Sequence, residues 1–350
     1  MVPLQAQALT LGDQAPTSLG ISVGLHIDLA IVDYANRILA EKRLPNRLQG
    51  AGPQSDARIE EIVSACRKLP GVASGGALTG IGLAVSGDMT EDGQWIARAN
   101  DFASVQQANR LVSRLRERFP CPTHLANDTW VSVLAERWLA DDLPRQPTLA
   151  FVTNRLGIGL VIEGRLYQGP AQWSRWLGHV QADPNGPPCP CGRRGCLATN
   201  SWIGGVLDLL TGFAYGTRPP MPIHEVEKEW EEAMTRYRSG DPLVVEPMQN
   251  AYDNLGRILR NLAEIFAFDA IILDSWAGER DGEGLARVRA VMQEGTASIL
   301  QYRPLPAIRL PVLGERQLAA GAALYAFDRC AERHAHARPH ARKSDTPLLA

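Results

Sequence analysis

Residues 178–202 read GHVQADPNGPPCPCGRRGCLATNSW, and one histidine and three cysteines fall within eighteen positions of this stretch. Thiolates and an imidazole are ligands that zinc prefers, and four of them close a tetrahedral site with no position left for water. Gly192 and Gly195 allow tight turns, while the prolines at 187, 188 and 190 stiffen the loop around the first two cysteines. The pattern predicts a structural zinc site, with unconnected buried thiols beside an ordinary histidine as the alternative. The predicted ligands are His179, Cys189, Cys191 and Cys196.

The composition of the chain is that of an ordinary globular protein. Its 350 residues are enough for two domains with separate cores, and 45% of them are hydrophobic. A formal net charge of −2 gives no general attraction to nucleic acid or to an anionic membrane. There is no apolar run of about 18 residues and no basic-then-apolar export signal. We therefore expect a cytoplasmic protein without a membrane segment or direct nucleic-acid contact, in which Cys66, Cys121 and Cys330 are reduced.

Strand-like and helix-like segments alternate along most of the chain, which is typical of an α/β protein. The first of them, LGISVGLHIDLAIVDYANRIL, predicts two strands joined by a turn, and the second strand ends at Asn36. Residues 243–267 predict a helix whose apolar positions recur every three or four residues. The predicted units are a flexible leader at 1–18, an N-terminal α/β lobe at 19–128, a C-terminal α/β lobe at 129–312 with the zinc loop 179–196, a closing helix at 313–330 that packs back on the N-terminal lobe, and a disordered tail at 331–350.

The zinc loop resembles that of the ROK family, which groups bacterial sugar kinases with sugar-responsive transcriptional repressors. Family members read G-H, a spacer and C-x-C-G-x-x-G-C-L-E, and this chain matches all but the final acidic residue. The segments ANDTWVSVLAERW and LVIEGRLYQG resemble two further family segments. The resemblance covers residues 18–328 and implies a two-lobed, actin-like (ribonuclease H-like) ATPase/sugar-kinase fold, with nucleotide and sugar in the cleft between the lobes. It also implies a homodimer or tetramer.

The resemblance places one phosphate-binding turn in each lobe, and both depart from the kinase pattern. Family kinases have D-x-G-G-T where this chain has SVGLH at residues 22–26, so that Gly24 remains and Leu25 adds a branched side chain. They have G-T-G-x-G-x-G where this chain has TNRLGIG at residues 153–159. The residues that remain as degenerate nucleotide-binding positions are Gly24, Gly157 and Gly159.

Two further residues bear on the nucleotide. Asp274 and Ser275 stand where the family has a Gly-Gly pair beside the adenosine, and a carboxylate near a polyanion is unfavourable without a metal. Arg155 is interpreted as an exposed hairpin arginine, with pairing to an anion as the alternative. Together these departures predict a degraded site with a weakened hold on ATP and Mg²⁺.

The sugar side of the resemblance is mixed. Asn127 and Asp128 match a family pair that contacts sugar hydroxyls, and Asp128 then takes the role of general base. By themselves, an Asn-Asp pair at a strand-to-helix turn equally fits a helix N-cap. His179 matches a family histidine that can touch both zinc and sugar, whereas Trp176 and Ala198 replace two sugar-binding glutamates. The predicted substrate-binding residues are Asn127, Asp128, His179 and Trp176.

These features predict a zinc-containing ROK-family protein with a degraded nucleotide site, which binds a carbohydrate derivative or acts in regulation without catalysis. One alternative is an ATP-dependent kinase of hexoses or amino sugars, with Asp128 as the catalytic base. A second alternative is a transcriptional-regulator effector lobe that acts through a partner, because the 18 residues before Leu19 are too few for a helix-turn-helix. Trp173 and Trp176 are interpreted as packing residues, with a stacking platform for a flat ligand as the alternative.

Overall fold

The computed structural model describes residues 16–24, 26–48, 55–73, 78–169, 173–201, 203–219, 223–274, 282–294 and 304–337. The elements of the first half are β1 (Thr17–Val23), β2 (His26–Asp33), β3 (Ile38–Pro45), α1 (Ser55–Arg67), β4 (Leu78–Val85), β5 (Gly87–Met89), β6 (Ile96–Ala99), α2 (Val105–Arg118), β7 (Thr123–Asn127) and α3 (Asp128–Leu139). Those of the second half are β8 (Leu149–Val152), β9 (Ile158–Ile162), β10 (Arg165–Tyr167), the 3₁₀ turns Trp173–His179 and Leu197–Thr199, α4 (Ile203–Thr211), α5 (Ile223–Arg238), α6 (Pro242–Phe266), β11 (Ala270–Leu273), α7 (Glu283–Gln293), β12 (Ala307–Arg309), the 3₁₀ turn Gly314–Arg316 and α8 (Gln317–Ala337).

Two five-stranded sheets have the same arrangement. The first has the order β3-β2-β1-β4-β7 and the second the order β10-β9-β8-β11-β12. In each sheet three successive strands pair antiparallel, and two later strands add in parallel beside the first of the three. The predicted α/β architecture with two lobes is therefore confirmed, because each lobe is built around its own sheet.

The sequence predicts two strands up to the Asn36 turn, and the structure adds a third strand, β3, directly after it. Asn36 has a left-handed backbone (φ +62°), which lets the chain reverse into β3. The strand is mostly exposed at the sheet edge and carries three successive charged residues, 41–43, which hide its alternation. Arg43 on β3 pairs with Asp28 on β2 at 2.7 Å. Charged edge strands resist pairing with other chains, and their weak apolar pattern makes them hard to recognise.

Helices α3 and α8 lie between the two sheets. The apolar side chains of α3 pack in two directions: Val131 and Leu134 contact residues of β4, β7 and α8, and Val133 contacts β8, β9 and β11. Helix α8 lies on β1 and β4 at close range, because a Cβ on Gly82 would stand only 1.8 Å from the Ala322 carbonyl oxygen. On the other face of the first sheet, α1 and α2 cover the apolar core. The loops after β4, β6 and β8 thus lie close together between the two lobes.

The chain ends differ in how much of them the structure describes. Strand β1 begins at Thr17, and residues 1–15 of the predicted leader lie outside the described residues. Helix α8 continues to Ala337, so it extends into the segment 331–350 that was predicted as a tail, and residues 338–350 are not described. In the part of the chain that is described, no helix has an apolar stretch long enough to cross a membrane.

Candidate functional site

The four predicted metal ligands lie together at one end of the second lobe. The ligand atoms of His179, Cys189, Cys191 and Cys196 all lie within 4.8 Å of one another. Cys189 Sγ is 3.6 Å from His179 Nδ1, and Cys191 Sγ is 3.5 Å from Cys196 Sγ. Ligands that stand about 2.0–2.3 Å from a shared ion must come about this close to one another. The cluster therefore fits a metal that prefers soft ligands.

Backbone hydrogen bonds bring the three cysteines into reach of the histidine. The amide of Cys189 donates to the Arg193 carbonyl at 2.8 Å, and the amide of Gly192 donates to the Cys189 carbonyl at 2.9 Å. Gly195 has φ +61°, and a Cβ there would stand 1.4 Å from the Asp183 carbonyl oxygen. Only glycine fits this close approach, which brings the next residue, Cys196, close to His179. Backbone hydrogen bonds within the loop thus hold it closed.

The surroundings of two thiols in the cluster shift their pKa values in opposite directions. A hydrogen bond from the Arg193 backbone lowers the pKa of the Cys191 thiol to about 6. Burial raises the pKa of the Cys196 thiol to about 12. Cys191 can therefore supply a thiolate near neutral pH, whereas Cys196 would lose its proton when a bound cation replaced it.

Asn127 and Asp128 lie at the junction of β7 and α3, and the structure separates their roles. Asn127 is the N-cap: its Oδ1 accepts from Thr129 N at 3.0 Å and from Thr129 Oγ1 at 2.6 Å. Its Nδ2 donates to the Gly87 carbonyl at 2.8 Å. The side chain is buried, and its polar atoms are engaged within the protein. The N-cap alternative thus accounts for Asn127 without a ligand.

Asp128 is the first residue of α3 and remains partly exposed. Its Oδ1 accepts from Thr129 N at 2.9 Å. Burial raises the pKa of the Asp128 carboxyl, while the nearby guanidinium of Arg155 and a hydrogen bond from Ser86 oppose that shift. A carboxylate whose pKa lies above its ordinary value is better suited to accept a proton from a hydroxyl near neutral pH.

Arg155 crosses from the second lobe to the first, beside Asp128. It stands in the turn between β8 and β9, and its Nη1 donates to Ser86 Oγ at 3.2 Å. Its Nη2 lies 3.8 Å from Asp101 Oδ1. Burial raises the pKa of Asp101 to about 6; Arg155 opposes this shift and the charge of Asp128 adds to it. Arg155 thus lies in a hairpin turn, and its side chain also contacts Ser86 and Asp101 of the first lobe.

Three backbone amides of the turn that carries Arg155 donate within the turn. Thr153 N donates to the Gly157 carbonyl at 2.8 Å, Leu156 N to the Thr153 carbonyl at 2.9 Å, and Gly157 N to Thr153 Oγ1 at 3.0 Å. In the corresponding turn of the first lobe, between β1 and β2, Gly24 N donates to the His26 carbonyl at 2.9 Å. Turns that bind phosphate do so by pointing unpaired N–H groups at it. These four amides are already paired.

Two of the predicted nucleotide glycines have a packing reason to be glycine. A Cβ on Gly159 would stand 2.2 Å from the Thr129 carbonyl oxygen, and one on Gly157 would stand 2.8 Å from Thr129 Cγ2. Both glycines thus allow the second sheet to approach the first turn of α3. Gly24 has open space around it instead, and its carbonyl accepts a hydrogen bond from Asn46. A nucleotide-binding role for these glycines stays a prediction.

The two tryptophans before the zinc loop differ. Trp173 packs on the core of the second lobe, meets Tyr167 edge-on at 5.0 Å and donates its indole N–H to the Gln168 carbonyl. Trp176 is 61% exposed, so it is the tryptophan of the pair that is free to meet a ligand. Its predicted role in substrate binding remains a prediction.

Other predicted positions are only partly described. The Asp274 amide donates to the Val152 carbonyl at 2.9 Å, which continues the pairing of β11 with β8. Leu25 and Ser275, two of the departures from the kinase pattern, lie outside the described residues. Ser86 and Asp101, in contrast, were missed from the sequence although they face Asp128 and Arg155. Each follows a strand in a polar turn, but nothing in the neighbouring residues links them to a partner as far away as Arg155, 69 positions after Ser86.

Similarity to known proteins agrees with this geometry. The ROK family model matches residues 18–329. The xylose repressor of Bacillus spizizenii is 28% identical over 192 residues, which cover 54% of this chain and 48% of the repressor. The glucokinase of Halalkalibacterium halodurans is 28% identical over 202 residues, 55% of this chain and 58% of the kinase. The chain thus matches only about half the length of these curated relatives.

A solved structure extends the likeness of the fold to nearly the whole chain. The ROK hexokinase from Thermus thermophilus superposes with a TM-score of 0.70 at 23% sequence identity, covering 90% of this chain and 99% of the hexokinase. At this identity the likeness shows the fold, and it agrees with the two matching sheets described above. On the family match over residues 18–329 and this shared architecture, the chain belongs to the ROK family and has its two-lobed, actin-like fold.

Proposed function

We propose that this protein binds a carbohydrate or a carbohydrate derivative between its lobes without transferring a phosphoryl group. The observation that carries the proposal is the turn between β8 and β9. Three of its amides, those of Thr153, Leu156 and Gly157, donate within the turn, and its Arg155 side chain reaches Ser86 and Asp101 beside Asp128. A triphosphate at this turn would find these three donors already engaged, and productive transfer depends on positioned N–H donors and a metal.

Family membership by itself does not separate binding from catalysis. The relatives include a protein named xylose repressor as well as glucokinase and N-acetylmannosamine kinase. A carbohydrate ligand is common to these names, and phosphoryl transfer is not. Binding and catalysis therefore have to be distinguished by the residues of the site.

Calorimetric titration with Mg·ATP, with and without a panel of monosaccharides, tests this proposal. We expect no saturation by millimolar Mg·ATP, together with a rise in melting temperature for at least one carbohydrate, because a ligand that prefers the folded state stabilises it. Saturable Mg·ATP binding with release of ADP would contradict the proposal. Absence of any carbohydrate effect would contradict the ligand class.

A sugar kinase is the second candidate, favoured by Asp128 itself. Asp128 is the first residue of α3, and burial of its carboxyl raises its pKa, which suits a general base for a sugar hydroxyl. If sugar-dependent ADP release is found, Asp128→Asn should reduce it by at least about 100-fold. The exposed Asp56 on α1 provides the matched control, because Asp56→Asn removes a carboxylate outside this region.

We also propose that the His179–Cys196 loop holds one zinc ion in a structural role. Three thiols and one imidazole supply four ligands, so a bound ion would have no open position for a substrate. Zinc would fasten the loop to the 3₁₀ turn that ends at His179, next to Trp176. A homodimer, a regulatory partner and a cytoplasmic location remain predictions. Sedimentation of the purified chain tests the first of them.

A further inference from the structure

Arg155 has binding capacity that the protein itself does not use. A guanidinium carries five N–H donors arranged to grip an oxyanion through two hydrogen bonds. In the described part of the chain, it makes one hydrogen bond to the neutral Ser86 hydroxyl and one approach to Asp101 at 3.8 Å, and its charge also acts on the nearby Asp128 carboxyl. The second separation is too long for a hydrogen bond. The side chain is 39% exposed, so part of it is open to a ligand.

Two other arginine–aspartate pairs in this protein are each held by two hydrogen bonds, unlike Arg155 and Asp101. Arg43 pairs with Asp28 through two hydrogen bonds of 2.7 and 3.0 Å, at a similar exposure of 41%. Arg287 likewise pairs with Asp253 through bonds of 2.6 and 2.8 Å. The carboxylate of Asp101 is near enough to attract Arg155 but does not hold it in this way.

The acidic neighbours of Arg155 can adapt to an added negative charge. Asp101 is buried, and its pKa is raised to about 6. The pKa of Asp128 is also raised by burial. Both carboxyls therefore take up a proton more readily than an ordinary aspartic acid. An anion that approaches Arg155 can displace the loose contact with Asp101 instead of facing two fixed charges.

We propose that the carbohydrate bound here is an anionic monosaccharide, whose phosphate or carboxylate group pairs with Arg155 in place of Asp101 while a hydroxyl faces Asp128. This inference rests on the proposed carbohydrate site and specifies the chemical class of its ligand. A sugar phosphate and a sugar acid share the required oxyanion. Arg155 is then a specificity-determining residue, and Asp101 is its internal competitor.

Matched sugars test the proposal by calorimetry on the full chain. Glucose, glucose 6-phosphate and glucuronate differ in one group, and inorganic phosphate and Mg·ATP are the remaining probes. We expect at least one of the two anionic sugars to bind ~10-fold or more tightly than glucose, since a hydrogen bond to a charged group contributes about that much. Arg155→Met should remove this preference, and Arg155→Lys should keep part of it. Asp101→Asn should tighten the anionic sugar several-fold and leave glucose unchanged.

Arg43→Met is the control, because it removes an arginine of similar exposure from an ion pair on the β2–β3 surface and should leave the preference intact. Equal affinity for glucose and both anionic sugars, or a preference that survives in a folded Arg155→Met protein, would overturn the inference while leaving the carbohydrate site standing. Inorganic phosphate or Mg·ATP that binds as tightly as the sugar phosphate would also overturn it. If none of the sugars binds, the proposed function itself fails.

Discussion

Among single residues, Cys191 is the cluster ligand that can be changed with the least disturbance to packing, because it is exposed while Cys189 and Cys196 are buried. With Cys191→Ser we expect the zinc content of the purified protein to fall from about one ion per chain to near zero, with a lower melting temperature, since a structural metal contributes folding energy. Metal analysis and thermal unfolding measure both effects. Cys121→Ser removes a thiol outside the cluster and should keep the ion. Full metal content and an unchanged melting temperature in Cys191→Ser would show that Cys191 does not hold the ion.

The buried carboxyl of Asp101 should make the stability of the protein depend on pH. Its pKa is about 6 in the folded protein against an ordinary value of 3.8, so the folded state binds this proton more tightly than the unfolded state does. The group therefore lowers the free energy of unfolding as pH rises from about 4 to about 6. Asp101→Asn should remove this loss and gain up to about 3 kcal/mol relative to the unsubstituted protein between pH 4 and pH 7.

Urea unfolding at several pH values measures that difference. Asp56→Asn, which changes an exposed aspartate on α1, serves as the comparison and should show a much smaller pH-dependent difference. A difference between Asp101→Asn and the unsubstituted protein that stays constant with pH would mean that burial does not hold the Asp101 proton.

At the scale of elements, glycines set how closely strands and helices meet. Gly159 on β9 lies against the first turn of α3, where an added Cβ would stand 2.2 Å from the Thr129 carbonyl oxygen. Gly159→Ala should therefore push β9 and α3 apart and lower the free energy of unfolding by about 2 kcal/mol or more. Gly24→Ala is the matched control, since the nearest atom to its Cβ would be 4.0 Å away. Similar unfolding midpoints for the two variants would contradict this account of the interface.

For the whole molecule, the ion pair between Glu136 and Arg309 joins the element that lies between the sheets to the edge of the second sheet. Glu136 on α3 is fully buried, and it accepts hydrogen bonds from Arg309 on β12 and from the Val312 amide. Arg309→Met leaves that carboxylate with a single hydrogen-bond donor, and we expect a loss of about 3–5 kcal/mol in the free energy of unfolding.

The surface pair Arg316–Glu41 gives the comparison for that measurement. Arg316 is 64% exposed, so Arg316→Met should cost no more than about 1 kcal/mol. Denaturant unfolding of both variants, followed by one probe in each lobe, distinguishes them. Equal costs would show that the buried pair does not hold α3 to the edge of the second sheet.

The sequence by itself determined the two-lobed α/β fold, the family and the four candidate metal ligands. Each of these depends on local information: strand and helix periodicity is read within about one element, the cysteines lie close together along one loop, and the two lobes are implied by the resemblance of short segments to the ROK family. Strand β3 escaped prediction because its successive charges conceal the alternation of an edge strand.

Only the tertiary structure decided what surrounds Asp128. It assigned the capping role to Asn127, gave Gly157 and Gly159 a packing role against Thr129, and brought Arg155 to Ser86 and Asp101. The partners in these contacts belong to different elements, and some to different lobes. Their distances depend on how the two sheets pack around α3 and α8, which no spacing along the chain specifies.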